Sequence, residues 1–180
     1  MCTLIEDECL KLIPYTHEDD KAMYKCLKDK VTQLGFNYIA TDSLENFSKV
    51  DIEFYPFWAV VVHKKSNRKI GFLRLSPFES NPDLSIWILK RYRKKGFGTR
   101  SYYLGLSYCF ETLKLPEVIA GCYEYNEASR HILSKLGFKR LPTYDLYERS
   151  VFTGKRIKQM AYKLDQATFH SLSTLKSCER

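Results

Sequence analysis

The chain has 180 residues, 44% hydrophobic and 28% charged, which is enough for a self-sufficient core without disulfide or metal staples. Six cysteines (Cys2, Cys9, Cys26, Cys109, Cys122, Cys178) contain no C-x-x-C pair, and four histidines show no zinc spacing, which excludes a disulfide scaffold and a structural metal site. No apolar run reaches membrane-span length, and the acidic start Met1 to Glu8 lacks the sustained apolar core of a secretory signal, so a reducing cytoplasm with thiols packed as small apolar groups is expected.

The predicted elements follow in chain order. Residues 9–13 alternate loosely as a first strand, residues 18–30 read as a helix capped near Thr16, and residues 43–50 as a second, shorter helix. Residues 57–62 and 69–75 flank Ser66-Asn67-Arg68, the grammar of a hairpin. Residues 84–89 form a mostly buried strand, after which Tyr102, Leu106, Cys109 and Leu113 take up helical spacing. Residues 117–123 read as a strand. A short helix follows, with Asn126 as its N-cap, Glu127 in its first turn, Ala128, Ile132, Leu133 and Leu136 on its apolar face, and Gly137 as its C-terminal cap. Residues 138–151 and 156–164 read as two strands joined through Thr153-Gly154. From Gln166 the tail is polar, with too little apolar material to bury much. Nothing in this order marks a linker, so residues 1–180 are expected to form a single mixed α/β domain.

Between the strand at 84–89 and the long helix lies Arg93-Lys94-Lys95-Gly96-Phe97-Gly98-Thr99. Glycines at such a turn let the backbone bend tightly and let a ligand approach its N–H groups, while the helix N-terminus behind supplies unpaired donors and partial positive charge. That combination is a phosphate cradle. Arg91 and Arg100 add to the crowd of cations, which repel one another unless an anion neutralises them. The stretch has neither the Lys-Ser/Thr ending of a Walker loop nor the third glycine of a dinucleotide fingerprint.

Residues 93–98 resemble the Arg/Gln-x-x-Gly-x-Gly/Ala pyrophosphate motif of the GNAT family of acetyl-CoA-dependent N-acetyltransferases. Asn126-Glu127-Ala128-Ser129 followed by Lys135-Leu136-Gly137-Phe138 resembles the family's second signature, in the order and context the family requires. The resemblance runs from about residue 9 to residue 164. It implies a GNAT fold, a central twisted, mostly antiparallel sheet flanked by helices, and transfer of acetyl from acetyl-CoA to a primary amine by direct attack on the thioester.

The same resemblance implies residue roles. Backbone groups of Ile86, Trp87 and Ile88 face the pantetheine arm and thioester, Arg93 to Thr99 hold the pyrophosphate, and Asn126 and Ser129 complete the coenzyme site. Asp83 stands where many members carry a Glu and becomes the proton acceptor. Asn81-Pro82-Asp83 also reads as a plain turn; Glu53 and Glu79 are weaker substitutes. Where many members place a Tyr acid this chain has Leu133, and Ser129 on the same face becomes the proton donor, as in the branch resembling ribosomal-protein N-terminal acetyltransferases. Ser129 also reads as a helix-end packing residue, with Tyr123 and Tyr125 in reserve and His131 facing solvent. No metal is implied.

The net charge of +8 falls partly on the cradle and partly on hairpin ends (Lys64, Lys65, Arg68, Lys69, Lys155, Arg156, Lys158), the pattern of a solvated face rather than a nucleic-acid surface. Two alternatives stay open: a basic RNA- or ribosome-binding module, and an acyl-CoA-binding domain without catalysis. The acceptor pocket implied by the family lies near residues 33–54 and 142–153, rich in aromatics (Phe36, Tyr38, Phe54, Tyr55, Tyr144, Tyr147, Phe152). The acceptor itself, a small molecule or a protein N-terminus, is left open, as is the choice between monomer and homodimer. No membrane partner is expected.

Overall fold

Alternation of apolar residues along the chain builds two sheets that meet at one point. In the computed structural model, which describes residues 2–77 and 82–172, the strands β1 (Ile5–Glu6), β2 (Leu10–Pro14), β3 (Phe57–His63), β4 (Arg68–Leu75) and β5 (Leu84–Ile88) pair antiparallel in that order. Glu79, Asn81 and Cys178 lie outside the described residues. In the second sheet β6 (Glu117–Tyr123) pairs antiparallel with β9 (Arg156–Asp165), whose other edge carries β7 (Lys139–Arg140) and β8 (Leu146–Arg149). The sheets touch through a parallel bridge between Asp83 and Ile119, where Ile119 N–H donates to the Pro82 carbonyl at 2.8 Å. Among the described residues β5 and β6 pair no further, so the two strands part from there.

Side chains of successive strand residues point to opposite faces, and each face of the first sheet is covered. On one face α1 (Asp20–Leu27), α2 (Lys30–Phe36) and α3 (Leu44–Phe47) bury Ile13, Trp58, Val60, Phe72 and Trp87 with Met23. On the other, α4 (Phe97–Ser107), prolonged by a π turn at Tyr108–Thr112, packs on Leu12, Phe57, Leu73 and Leu84, joined by α5 (Glu127–Lys135) and α6 (Gln166–Ser171). Gly71 permits the closest strand approach: a Cβ there would lie 2.4 Å from the Trp87 carbonyl oxygen. Next to it Val61 pairs with Gly71 and Val62 with Lys69, so Ile70 is the extra residue of a β-bulge.

Several expectations are corrected. The helix expected over 18–30 is a 3₁₀ turn at His17–Asp19 followed by α1, which stops at Leu27; Asp29 then leaves the helical region (ψ 128°) and its carboxylate accepts from Thr32 N–H, capping a further helix, α2. The helix expected over 43–50 shrinks to α3, capped by Ser43. The strand expected over 138–151 is broken at Pro142–Tyr144 by a 3₁₀ turn. Here Asp145 gathers the Arg140 guanidinium, the Lys158 ammonium and the Ala161 N–H. Ala128, assigned to the apolar face of its helix, is exposed, whereas Leu133 and Leu136 are buried. Cys26, Cys109 and Cys122 pack inside as small apolar residues.

The tail departs most from its expected behaviour. Asp165 caps α6 by accepting from Thr168 N–H at 2.7 Å, and the single helix turn that follows drives Phe169 into the core at 2% exposure. Its ring lies 5.0 Å from the rings of both Tyr103 and Phe110. Phe169→Ala should therefore destabilise the protein by about 3–5 kcal/mol, read as a lowered urea midpoint with unchanged slope. A midpoint shift near zero would return the tail to the surface.

Candidate functional site

The turn between β5 and α4 is shaped by left-handed backbone. Lys94 has φ +58° and Gly96 φ +78°, and Gly96 caps α4, whose first-turn amides have no intrahelical acceptor. Gly98, in that first turn, is wedged against the neighbouring wall: a Cβ would sit 3.1 Å from Ile132 Cδ1 and 3.9 Å from Ile88 Cγ1. The cluster of cations at this turn divides. Arg100 Nε donates to Asp7 Oδ2 at 2.6 Å. Arg93 turns inward, its Nη1 on Asp29 Oδ2 at 2.7 Å, its Nη2 on Thr32 Oγ1 at 2.9 Å and its Nε on the Ile88 carbonyl at 2.8 Å. Arg91, Lys94 and Lys95 stay exposed at the mouth of the turn. Carboxylates thus pair with Arg93 and Arg100, and among the described residues Arg91, Lys94 and Lys95 have no carboxylate partner.

Where β5 and β6 part, a cavity of about 120 Å³ opens between them, lined by Asp83, Ile86, Gly121, Asn126, Ser129 and Leu133 among others. Antiparallel pairing dictates which backbone groups face it. Ser76 N–H donates to the Asp83 carbonyl and Leu89 N–H to the Ile70 carbonyl, so residues 83, 85, 87 and 89 spend their main-chain bonds on β4. Leu84, Ile86 and Ile88 consequently point theirs to the open edge. The Leu84 carbonyl accepts from Tyr102 Oη at 2.6 Å and the Ile88 carbonyl from Arg93, which leaves Ile86 at the centre of that edge. Trp87 does not share this orientation: its backbone belongs to the β4 ladder, and its indole lines a different cavity.

Asp83 lies at the vertex of the opening. Burial pushes its carboxyl up to about 6, although a hydrogen bond from the Gly121 backbone and the charge of Arg74 both pull the other way. Across the cavity the Asn126 side chain accepts from Ser129 N–H at 3.2 Å and donates to the Gly35 carbonyl at 3.3 Å, tying α5 to α2. Ser129 and Leu133 both line the wall, one helical turn apart. Of the reserve tyrosines, Tyr123 donates to Glu148 Oε1, and Tyr125 donates to the Leu34 carbonyl at 3.0 Å. Burial and the Glu148 carboxylate raise the Tyr123 hydroxyl far above its ordinary value. Glu53 is exposed and lines neither cavity, and His131 is exposed.

A second cavity, about 320 Å³, lies on the helical side of the same sheet, lined by Met23, Leu27, Thr32, Phe36, Tyr38, Phe47, Arg74 and Trp87. Phe36, stacked on Trp87 with ring centroids 5.1 Å apart, is common to both cavities and forms the partition between them. The segment 33–54 supplies Gly35 and Phe36 to the first cavity and Phe36, Tyr38 and Phe47 to the second. The segment 142–153 supplies neither: Tyr144 and Tyr147 are 67% and 55% exposed and line neither cavity. Sequence reasoning missed Gly35, Gly121 and Gln159 in the first cavity and Arg74 in the second. Only Arg74 carried a signal, a lone cation in the apolar run Ile70-Gly71-Phe72-Leu73-Arg74-Leu75.

Comparison with known proteins adds four findings. Residues 10–139 match the family model described as the acetyltransferase (GNAT) domain. An uncharacterized N-acetyltransferase of Bacillus subtilis, YoaA, is 25% identical over 154 residues, 78% of this chain and 85% of that protein. Among solved structures, a spermidine N-acetyltransferase from Vibrio cholerae in complex with CoA and spermine superposes with TM-score 0.78 at 17% identity, covering 89% of this chain and 98% of that one. A GNAT-family acetyltransferase from Bacillus anthracis gives TM-score 0.74 at 17% identity over 92% and 99% of the two chains. The mixed α/β arrangement of an antiparallel sheet flanked by helices is thus the GNAT fold.

The raised Asp83 carboxyl has a thermodynamic consequence. A group whose folded pKa, about 6, exceeds its ordinary 3.8 favours the folded state while protonated and loses that contribution as pH rises through 6. Asp83→Asn mimics the protonated form. Its melting temperature should exceed that of the parent above pH 6, with the gap closing as pH falls toward 3.8. A pH-independent gap in thermal scans would mean that the carboxyl is not desolvated.

Proposed function

The chain belongs to the GNAT acetyltransferase family, and from that premise we propose that it transfers acetyl from acetyl-CoA to a primary amine by direct attack on the thioester, within a single domain. The observation that carries the reading is the parting of β5 and β6 at Asp83, which creates a strand edge, a cavity and a desolvated carboxyl at one point. Acetyl-CoA fits the chain's own groups on structural grounds. Exposed Lys94 and Lys95 and the free amides of α4 suit a pyrophosphate, and Gly98 leaves no unused space where its backbone meets Ile132 and Ile88.

Each residue then has a defined task. The Ile86 N–H, on the open edge of β5, offers a donor to the oxygen that gains negative charge as the amine attacks. The nitrogen–carbon bond forms as the carbon–sulfur bond breaks. Asp83 accepts the amine proton, directly or through one water, and Ser129 Oγ gives a proton to the departing sulfur. Ser129 takes this role because Leu133 occupies the wall where a Tyr acid would stand, a pattern that supports kinship with the ribosomal-protein N-terminal branch. Arg93 acts by holding the loop, since its side chain is spent on Asp29, Thr32 and Ile88. Buried thiols at Cys26, Cys109 and Cys122 fit a reducing cytoplasm.

Two outcomes test this. Gly98→Val should weaken acetyl-CoA binding by at least about ten-fold in calorimetry while the far-ultraviolet spectrum is retained, because the branched side chain meets Ile132. Undiminished affinity in the folded variant would remove the coenzyme assignment. Because Asp83 must be ionised to accept a proton, kcat/KM should fall below pH 6, and Asp83→Asn should abolish that limb and lower kcat/KM by about 100-fold or more. Acceptors of different basicity separate the enzyme's limb from the amine's own ionisation, and an unaltered profile would return Asp83 to a turn-forming role.

A further inference from the structure

The second cavity contains an unusual set of polar groups. Arg74 is the counterpart of Ser85 across the β4–β5 ladder and of Trp58 across β3–β4, so its side chain emerges among the aromatics of the helical face. Its guanidinium lies 4.5 Å from the Tyr55 ring centroid, 5.1 Å from that of Trp58 and 5.4 Å from that of Trp87. Among the described residues it makes no ion pair or hydrogen bond, and no carboxylate lines this cavity. Trp58 Nε1 and Trp87 Nε1, both buried, have no acceptor among the described residues either. Of these groups only Arg74 and Trp87 line the cavity, and among the described residues no carboxylate there meets the guanidinium. A buried donor left without an acceptor is destabilising, and a guanidinium remains charged even when burial draws its pKa down.

Asp83 stands on the same face. It is two residues from Ser85 along β5, which makes it the diagonal neighbour of Arg74, a Cα separation of about 7–8 Å. A cationic point and the carboxylate assigned to take an amine proton are therefore diagonal neighbours on one sheet face, with Phe36 lining both cavities.

Resting on the acetyltransferase reading above, we propose that the acceptor is an amine that also carries a carboxylate, its nitrogen directed to Asp83 and its carboxylate held by Arg74, its apolar portion filling the chamber of Met23, Leu27, Phe36 and Phe47. The carboxylate can come from a free α-amino acid or from an acidic side chain next to a peptide N-terminus. A polyamine is disfavoured: a second ammonium in this cavity would meet Arg74 and, among the described residues, no acid.

The test uses the full chain with acetyl-CoA and matched probes. L-phenylalanine, L-leucine and L-methionine are each compared with their carboxamides, aspartyl-phenylalaninamide with asparaginyl-phenylalaninamide, and spermine is included. The carboxylate member of at least one pair should have kcat/KM about ten-fold or more above its neutral partner, as expected where a site built for a polar group meets an analogue lacking it. Preference confined to the amino acids identifies a free amino acid, and preference confined to the dipeptide identifies a peptide terminus. Arg74→Gln should erase the ratio and Arg74→Lys restore part of it, with circular dichroism and coenzyme affinity confirming an intact fold. Equal use of both members of every pair, a preference for spermine, or a ratio unchanged in folded Arg74→Gln overturns the proposal. Trp58 and Trp87 give a readout that does not depend on turnover. A saturable, carboxylate-dependent fluorescence change without thiol release keeps Arg74 as an anion site and sinks the transferase reading; no such change and no turnover with any carboxylate probe overturns the proposal itself.

Discussion

The parting of two strands governs this molecule. Sheets close because each strand's N–H and C=O groups need partners, and a pair that separates leaves those groups unpaired on both lips. Here the separation begins after one bridge, at Asp83 and Ile119. The open edge of β5, the cavity between the sheets and the desolvation of Asp83 are three results of the same divergence. It persists because each lip is held from outside: β5 by β4 and by the Tyr102 hydroxyl on the Leu84 carbonyl, β6 along its whole length by Gln159–Asp165 of β9.

Helix α2 supplies the second constraint. It is only seven residues long and would be marginal alone, yet it sets the partition between the two cavities through Phe36. Its first turn is fixed by Asp29 and Thr32, both bound to Arg93. Its end is fixed by Asn37 in the left-handed region (φ 47°), whose buried amide donates to Glu148 and to the Arg149 carbonyl and accepts from Val151 N–H. A short helix pinned at both ends behaves as a rigid wall. Tyr144 and Tyr147, expected from the sequence to belong to an acceptor pocket in 142–153, face outward instead.

Legibility in the sequence followed the range of the interaction. Elements dictated by local pattern were readable: the hairpin of β3 and β4 from two apolar runs flanking Ser66-Asn67-Arg68, β6 with its limits, and α5 from Asn126 to Gly137 from its caps. Elements defined by one capping side chain were misread, since Asp29 and Asp165 look like ordinary surface acids until the backbone turns around them. Phe169 was discounted because one aromatic in a polar tail shows no period. Within the cavities, Asp83, Ile86, Asn126 and Ser129 were on the page from the family motifs, whereas Gly35, Gly121 and Gln159 arrive from three distant segments with no motif of their own. The phase of β5, which turns the Trp87 backbone toward β4, depends on ladder register and could not be had from alternation of side chains.

The inward turn of Arg93 has one more implication. A single guanidinium grips the last carbonyl of β5, on the side of the basic turn, and the first turn of α2, whose far end forms the partition. Any ligand that stiffens the turn thereby reduces the freedom of Phe36, and any ligand lodged against Phe36 reduces the freedom of the turn. Free energies of this kind are symmetric: by whatever factor occupancy of one cavity improves binding at the turn, occupancy of the turn improves binding in that cavity. The order in which two ligands arrive would then be a matter of rates and concentrations, while the ternary assembly gains the same stabilisation by either route.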